Sequence, residues 1–140
     1  MANSKTGQTA LITGASSGLG ASFAEFLASK GVRVFLTARR EERLASLQKT
    51  ITANGGQAAY YAADLSTESN REELFKRVIS LYRYVDILIN NAGFGWYGYF
   101  NDMSWKLARN MIAVNIASIA HLTKLFLPWL ILIFAKKLFS

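Results

Sequence analysis

The run Thr13-Gly14-Ala15-Ser16-Ser17-Gly18-Leu19-Gly20 has the residue types of an anion cradle. It stands between an apolar, strand-like segment (Thr9–Thr13) and an amphipathic one, the context that gives such glycines a meaning. Gly14 permits a tight turn, Gly18 lets the backbone approach a pyrophosphate, and Gly20 lets helix and strand pack closely. A helix beginning near Leu19 would point its free N–H groups and positive dipole end at that phosphate. Ser16 and Ser17 add hydroxyl donors. The spacing Gly14-x-x-x-Gly18-x-Gly20 has one residue more before the second glycine than the common G-x-G-x-x-G. A glycine-rich stretch standing alone reads equally as a plain turn.

A second feature lies at the end of the next strand-like segment, where Arg39 is followed by Arg40. Sites for NAD place a carboxylate near here to bond the ribose 2′-hydroxyl. No Asp or Glu occurs from Val32 to Arg40. Two guanidiniums suit a 2′-phosphate instead, because arginine offers planar, paired donors to phosphate oxygens. The plainer alternative is a solvated pair opening a helix, a place where cations are disfavoured unless an anion is near.

The elements that must position these residues alternate. Strand-like runs are Thr9–Thr13, Val32–Leu36, Ala58–Ala62 and Val85–Ile89. Between them, Leu19, Phe23, Phe26 and Leu27 mark one face of a first helix. Leu44, Leu47 and Ile51 mark a second, closed by Asn54-Gly55-Gly56. Ser69 and Glu72 form an S-x-x-E capping box for a third, carrying Leu74, Val78 and Leu81. A fourth runs from about Ser104 to Phe126. Strand and helix in alternation predict an α/β fold, a parallel sheet covered by helices on both faces.

Composition narrows the chemistry further. The 140 residues are 51% hydrophobic and 18% charged, a globular balance with room for one domain. There is no cysteine, which removes disulfides, zinc-thiolate sites and thiol nucleophiles. With one histidine, His121, neither a histidine metal cluster nor a Ser-His-Asp triad is expected, and it reads as a packing or interface residue; no metal is expected. The charge of +7 favours anionic partners, but the basic residues are scattered rather than in a block, so nucleic acid is not expected. The polar start Met1–Gly7 lacks the apolar core of a secretory signal.

Four motifs in order resemble the short-chain dehydrogenase/reductase family. They are Thr13 to Gly20, Asp64-Leu65 after the third strand, Asn90-Asn91-Ala92-Gly93 after the fourth, and Val114-Asn115 in the fourth helix. The run through Phe94-Gly95 with Phe100 is similar to a bacterial-type branch of broad or unassigned specificity. The resemblance implies a Rossmann-like, doubly wound sheet of strand order 3-2-1-4 and NADP, rather than NAD, over the carboxyl ends of the strands. It implies that Gly14, Ser16, Ser17, Gly18, Leu19 and Gly20 cradle the pyrophosphate, and that Arg39 with Arg40 selects NADP. It implies that Asp64 bonds the adenine amino group with Leu65 beside the ring, and that Asn90, Asn91, Ala92 and Gly93 line the adenosine ribose. Asn115 resembles the asparagine that anchors a water in the proton relay. Taken singly, Asp64 reads as a helix N-cap, and Asn90 and Asn91 as turn residues.

The family's reaction is reversible hydride transfer between a nicotinamide and a carbonyl or alcohol, with a tyrosine moving the proton and a lysine four residues on. An unperturbed phenol, with a pKa near 10, is a poor base at neutral pH, and a nearby ammonium brings it into range. Here Tyr60 leads to Asp64, Tyr61 to Leu65, Tyr82 to Asp86, Tyr84 to Leu88, Tyr97 to Asn101 and Tyr99 to Met103. The family's fifth-strand serine is absent as well, so Asn115 is the one member of the catalytic group present. Tyr97 and Tyr99 are expected to line a substrate cleft or the surface.

The resemblance fades after about residue 130, which suggests a dinucleotide domain over 1–140 that is truncated by a stop, a frameshift or splicing. The expectation is an NADP-binding part that is inactive alone and meets a carbonyl or alcohol substrate only with a C-terminal half supplied. Alternatives are a non-catalytic NADP-binding or regulatory module and a non-functional product. A homodimer through the fourth helix is expected. The apolar run Leu125–Ala135, interrupted by Pro128, is short of the roughly 20 residues needed to span a bilayer. Surface anchoring with Lys136-Lys137 at the headgroups is the lesser reading, and a cytoplasmic location the main one.

Overall fold

The computed structural model describes residues 7–138, with side chains as far as Leu132. The start of the chain (residues 1–6) and the side chains of Lys136 and Lys137, on which two expectations rest, lie outside the described residues. The elements are β1 (Thr9–Thr13), α1 (Gly18–Ser29), β2 (Arg33–Ala38), α2 (Glu41–Ala53), β3 (Ala58–Ala62), α3 (Glu68–Tyr82), β4 (Ile87–Ile89), α4 (Trp105–Ile112) and α5 (Ser118–Leu138). A π-helical turn, Ala113–Ala117, joins α4 to α5.

The strands form one parallel sheet in the order β3-β2-β1-β4, as expected for a doubly wound fold. Side chains alternate across it. Ala10, Ile12, Val34 and Leu36 face one core with Ala24, Leu27, Leu44 and Ile51 of α1 and α2. Leu11 and Phe35 face the other with Leu74, Val78, Leu122 and Phe126 of α3 and α5. Each fully buried leucine or isoleucine contributes about 1.5–3 kcal/mol of transfer free energy. Thr13 lies beside Thr37, and Ala38 beside Ala62. The chain therefore leaves β1, β2, β3 and β4 at one edge of the sheet, where the connections collect.

Of the face predicted for helix α1, only Leu27 is buried. Leu19 is 72% and Phe26 56% exposed, and the buried positions are Gly20, Ala24, Leu27 and Ala28. The reason is distance. The helix lies so near β1 that a Cβ on Gly20 would overlap the Gly14 carbonyl oxygen and fall 2.6 Å from Asn91 Nδ2. At that point of the helix only small side chains fit, so Leu19, Phe23 and Phe26 turn outward while Leu27, two turns further on, is buried.

Two other expectations change. Helix α3 begins at Glu68 with Thr67 as N-cap, so Ser69 sits inside the first turn and the capping box does not form. Asn70 Nδ2 instead donates to the Asp64 carbonyl at 2.9 Å, and the Ser66 N–H to Asp64 Oδ1 at 2.9 Å. Helix α5 runs through Pro128 to Leu138 rather than ending near Phe126. Proline removes the N–H that the Lys124 carbonyl would use, a loss that solvent can offset because both residues are exposed. The continuous run Trp105–Leu132 is, by length and composition alone, enough to cross a membrane, which Leu125–Ala135 was not. One side of it is committed elsewhere: Leu122 and Phe126 are fully buried, with the Phe126 ring 5.0 Å from that of Phe75.

The close approach at Gly20 is testable. Gly20→Ala should lower the unfolding free energy by about 1–3 kcal/mol through overpacking, measured by urea denaturation. Phe23→Ser on the outward face should stay within about 0.5 kcal/mol.

Candidate dinucleotide-binding site

Four segments that leave the sheet at its common edge enclose a cleft of about 370 Å³. That is within the range of small-molecule sites. Gly14, Ser16, Ser17 and Leu19 come from the β1–α1 turn. Ala38, Arg39 and Arg40 end β2, and Ala63, Asp64 and Leu65 follow β3. Asn91, Ala92, Gly93 and Phe94 follow β4, and Val114 reaches in from the π-turn.

The β1–α1 turn is built for an anion. Gly14 has φ +65°, and a Cβ there would come within 2.9 Å of Ala92 Cα and of Asn91 Nδ2, so only glycine fits. Helix α1 starts with Ser17 as N-cap, but no side chain caps its amides, and its first turn holds no acidic residue. The positive end of the helix is left for an outside anion.

Both arginines stand at this turn without a carboxylate. Among the described residues the one ion pair is Arg77–Glu73, on the α3 surface. Arg40 Nη2 donates to Ser16 Oγ at 3.1 Å and to Ser17 Oγ at 2.9 Å, which draws its charge over the turn. The Arg39 guanidinium lies 6.0 Å from the centroid of the Phe94 ring, at the outer limit of a cation–π contact. Two free cations and an uncapped helix end form a donor set that suits a phosphorylated ligand.

The floor is stitched by Thr13. Its Oγ1 accepts from the N–H groups of Asn91 (3.0 Å) and Ala92 (2.9 Å) and donates to the Ile89 carbonyl (3.3 Å). One donor and two acceptor sites are all a hydroxyl has, so it is saturated. Asn91 Nδ2 donates back to the carbonyls of Thr13 (3.1 Å) and Gly14 (3.3 Å).

Not every candidate residue lines the cleft. Gly18 and Gly20 shape the turn and the helix approach behind it. Asn90 points away, its Nδ2 donating to Thr123 Oγ1 of α5 at 3.2 Å. Asn115 clamps the Phe94 backbone from the π-turn, its Nδ2 donating to the Phe94 carbonyl (2.8 Å) and its Oδ1 accepting from the Phe94 N–H (3.1 Å). The π-turn itself is held by Ser118, whose N–H bonds the Ala113 carbonyl and whose hydroxyl takes the Val114 carbonyl at 2.6 Å. Ala38 and Ala63 were not singled out in the sequence, although each adjoins a motif residue, whereas Phe94 and Val114 stand in the motifs themselves.

None of the six tyrosines lines the cleft. Tyr97 is fully exposed and Tyr99 nearly so, on the surface rather than in a pocket. Tyr82 packs edge-on against Phe35, where burial pushes its phenol up despite the neighbouring Arg33 charge. Glu68, Glu72 and His121 bring potential metal-ligating atoms within 4.8 Å of one another. His121 Nδ1, however, accepts from Arg71 Nε at 3.0 Å. That bond puts the neutral ring's proton on Nε2, which leaves no lone pair for a metal.

Thr13→Val would leave the Ala92 N–H without its acceptor and the Asn91 N–H with only the Ile89 carbonyl. It should cost about 1–3 kcal/mol in urea unfolding and speed amide exchange at Ala92.

The comparisons with known proteins agree with this geometry. The family model for short chain dehydrogenase matches residues 8–137. An oxidoreductase of Staphylococcus epidermidis, itself described as uncharacterized, is 32% identical over 124 residues, which is 89% of this chain and 53% of that protein. A fatty acyl-CoA reductase of Acinetobacter baylyi is 41% identical over 87 residues, 62% of this chain and 30% of the relative. Among solved structures, a metagenomic short-chain oxidoreductase in complex with NADP superposes with a TM-score of 0.88 at 40% identity, covering 91% of this chain and 58% of its own. L-sorbose reductase of Gluconobacter frateurii, complexed with NADPH and L-sorbose, gives 0.84 at 27% identity, covering 89% and 48%. The chain spans about half the length, or less, of these relatives. A parallel 3-2-1-4 sheet, a glycine turn under an uncapped helix and a family match over nearly every residue place this chain in the short-chain dehydrogenase family.

Proposed function

We propose that this chain binds NADP(H) in the cleft at the carboxyl edge of its sheet, in preference to NAD(H). The observation that carries the reading is the pair Arg39 and Arg40, two guanidiniums without a carboxylate beside the glycine turn. The N-terminal amides of α1, with Ser16 and Ser17, would hold the pyrophosphate, and Arg39 with Arg40 the 2′-phosphate. Asp64 and Leu65 would meet the adenine, and Ala92 and Gly93 the adjoining ribose. Such a cofactor supplies hydride transfer when bound, and the reaction proposed for the parent enzyme is reversible exchange between a carbonyl and an alcohol. This chain carries Asn115 but no tyrosine with a lysine four residues on, so we assign it binding rather than turnover. A regulatory, non-catalytic role shares that assignment.

Fluorescence titration should give NADPH an affinity about tenfold or more above NADH, the value of one or two hydrogen bonds to a charged phosphate. Arg39→Asp should abolish or invert that preference, and no carbonyl compound should oxidise NADPH in the presence of the chain. Equal affinity of the starting protein for both cofactors would defeat the reading of Arg39 and Arg40.

We also propose self-association through α4 and α5. Ile112, Ile116, Ile119, Leu127 and Ile131 stand exposed along one line of these helices, Ile116 at 63%. An apolar stripe of this length is unfavourable in water and marks a contact surface. Light scattering should report a dimer that Ile116→Lys converts to a monomer. Sedimentation of the wild type, but not of Ile116→Lys, with anionic lipid vesicles would assign the face to a membrane surface instead.

A further inference from the structure

Arg71, on α3, is 7% exposed, and among the described residues no carboxylate lies within ion-pair reach of it. Burying a charge without a counter-ion is unfavourable, and an apolar side chain of similar volume would fill the space at lower cost. What the guanidinium does there is visible in its bonds. Nη1 donates to the Leu65 carbonyl at 2.8 Å, in a fully buried contact. Nε donates to His121 Nδ1 of α5 at 3.0 Å. The carboxylates of Glu68 and Glu72 are exposed and lie near the His121 ring.

Leu65 and Asp64 line the cleft, and their two successive carbonyls are held by two successive side chains of α3. Asn70 takes that of Asp64, and Arg71 that of Leu65. His121 in turn accepts the Nε proton, which stops the guanidinium from rotating away from the loop. A single chain of hydrogen bonds thus runs from α5 through α3 to the wall of the cleft.

We propose that Arg71 and His121 are positioning residues for the adenine side of the cofactor cleft, with His121 holding Arg71 and Arg71 holding the Asp64-Leu65 segment. Neither touches the ligand. The inference rests on the NADP(H) reading above and extends it to residues outside the cleft.

The test uses the full chain and two probes by calorimetry: 2′,5′-ADP, the adenosine half of NADP, and inorganic pyrophosphate, which has no adenine. Arg71→Met keeps an unbranched stem without the donors, and His121→Leu removes the acceptor. Each should weaken 2′,5′-ADP by about tenfold, one charged hydrogen bond's worth, and leave pyrophosphate unchanged. His121→Asn places an oxygen where Nδ1 stood, and it should restore 2′,5′-ADP affinity. If Arg71→Met fails to fold, the His121 pair decides. Unchanged 2′,5′-ADP binding in His121→Leu overturns the proposal, as does equal weakening of both probes or failure of His121→Asn to rescue. Failure of the wild type to bind 2′,5′-ADP at all would instead overturn the cofactor reading itself.

Discussion

The structure depends on one crowded point, where the end of β1, the start of α1 and the chain leaving β4 come within contact of one another. Gly14 and Gly20 leave no space for a Cβ, and the Asn91 carboxamide fills what remains. Because the approach is so close, α1 can lie over the sheet with its uncapped end at the cleft. Thr13, with every hydrogen-bonding site of its hydroxyl in use, fixes Asn91 and Ala92 against β1. The glycine turn and the floor of the cleft are therefore one construction.

The ties continue outward from that point. Asn115 holds Phe94 from the π-turn, Asn90 reaches Thr123, and Arg71 joins His121 to the loop after β3. Helix α5 thus supports the cleft from two sides, although it contributes no lining residue of its own. The same helix buries Leu122 and Phe126 and exposes Ile119, Leu127 and Ile131. Its inner face packs in the core behind the cleft, and its outer face stays exposed.

Much of the fold was legible because the signals are local. Apolar runs bounded by glycine marked the strands, and β1 and β3 fall where the residue pattern put them. The motif residues gathered at one edge because parallel strands all end there. Where the reading failed, a distance across the fold was the cause. The face Leu19-Phe23-Phe26 obeys helical period, yet small residues turn inward because the helix lies too near the sheet for large ones. The Ser69–Glu72 box has the right spacing, but the helix starts earlier, with Asn70 and Arg71 drawn onto the Asp64-Leu65 carbonyls.

By itself the sequence determined the kind of molecule: an alternating α/β chain, a glycine turn with the residue types of an anion cradle, two arginines where an acid could stand, and no tyrosine followed four residues on by a lysine. These follow from residue type and short spacing. The tertiary structure alone decided which residues meet. It set Arg40 on the two serines of the turn, Asn115 on the Phe94 backbone and the buried Arg71 between His121 and Leu65. Apart from Arg71 and Leu65, those partners lie 21 to 50 residues apart along the chain, and only the packing of helices on the sheet brings donor to acceptor.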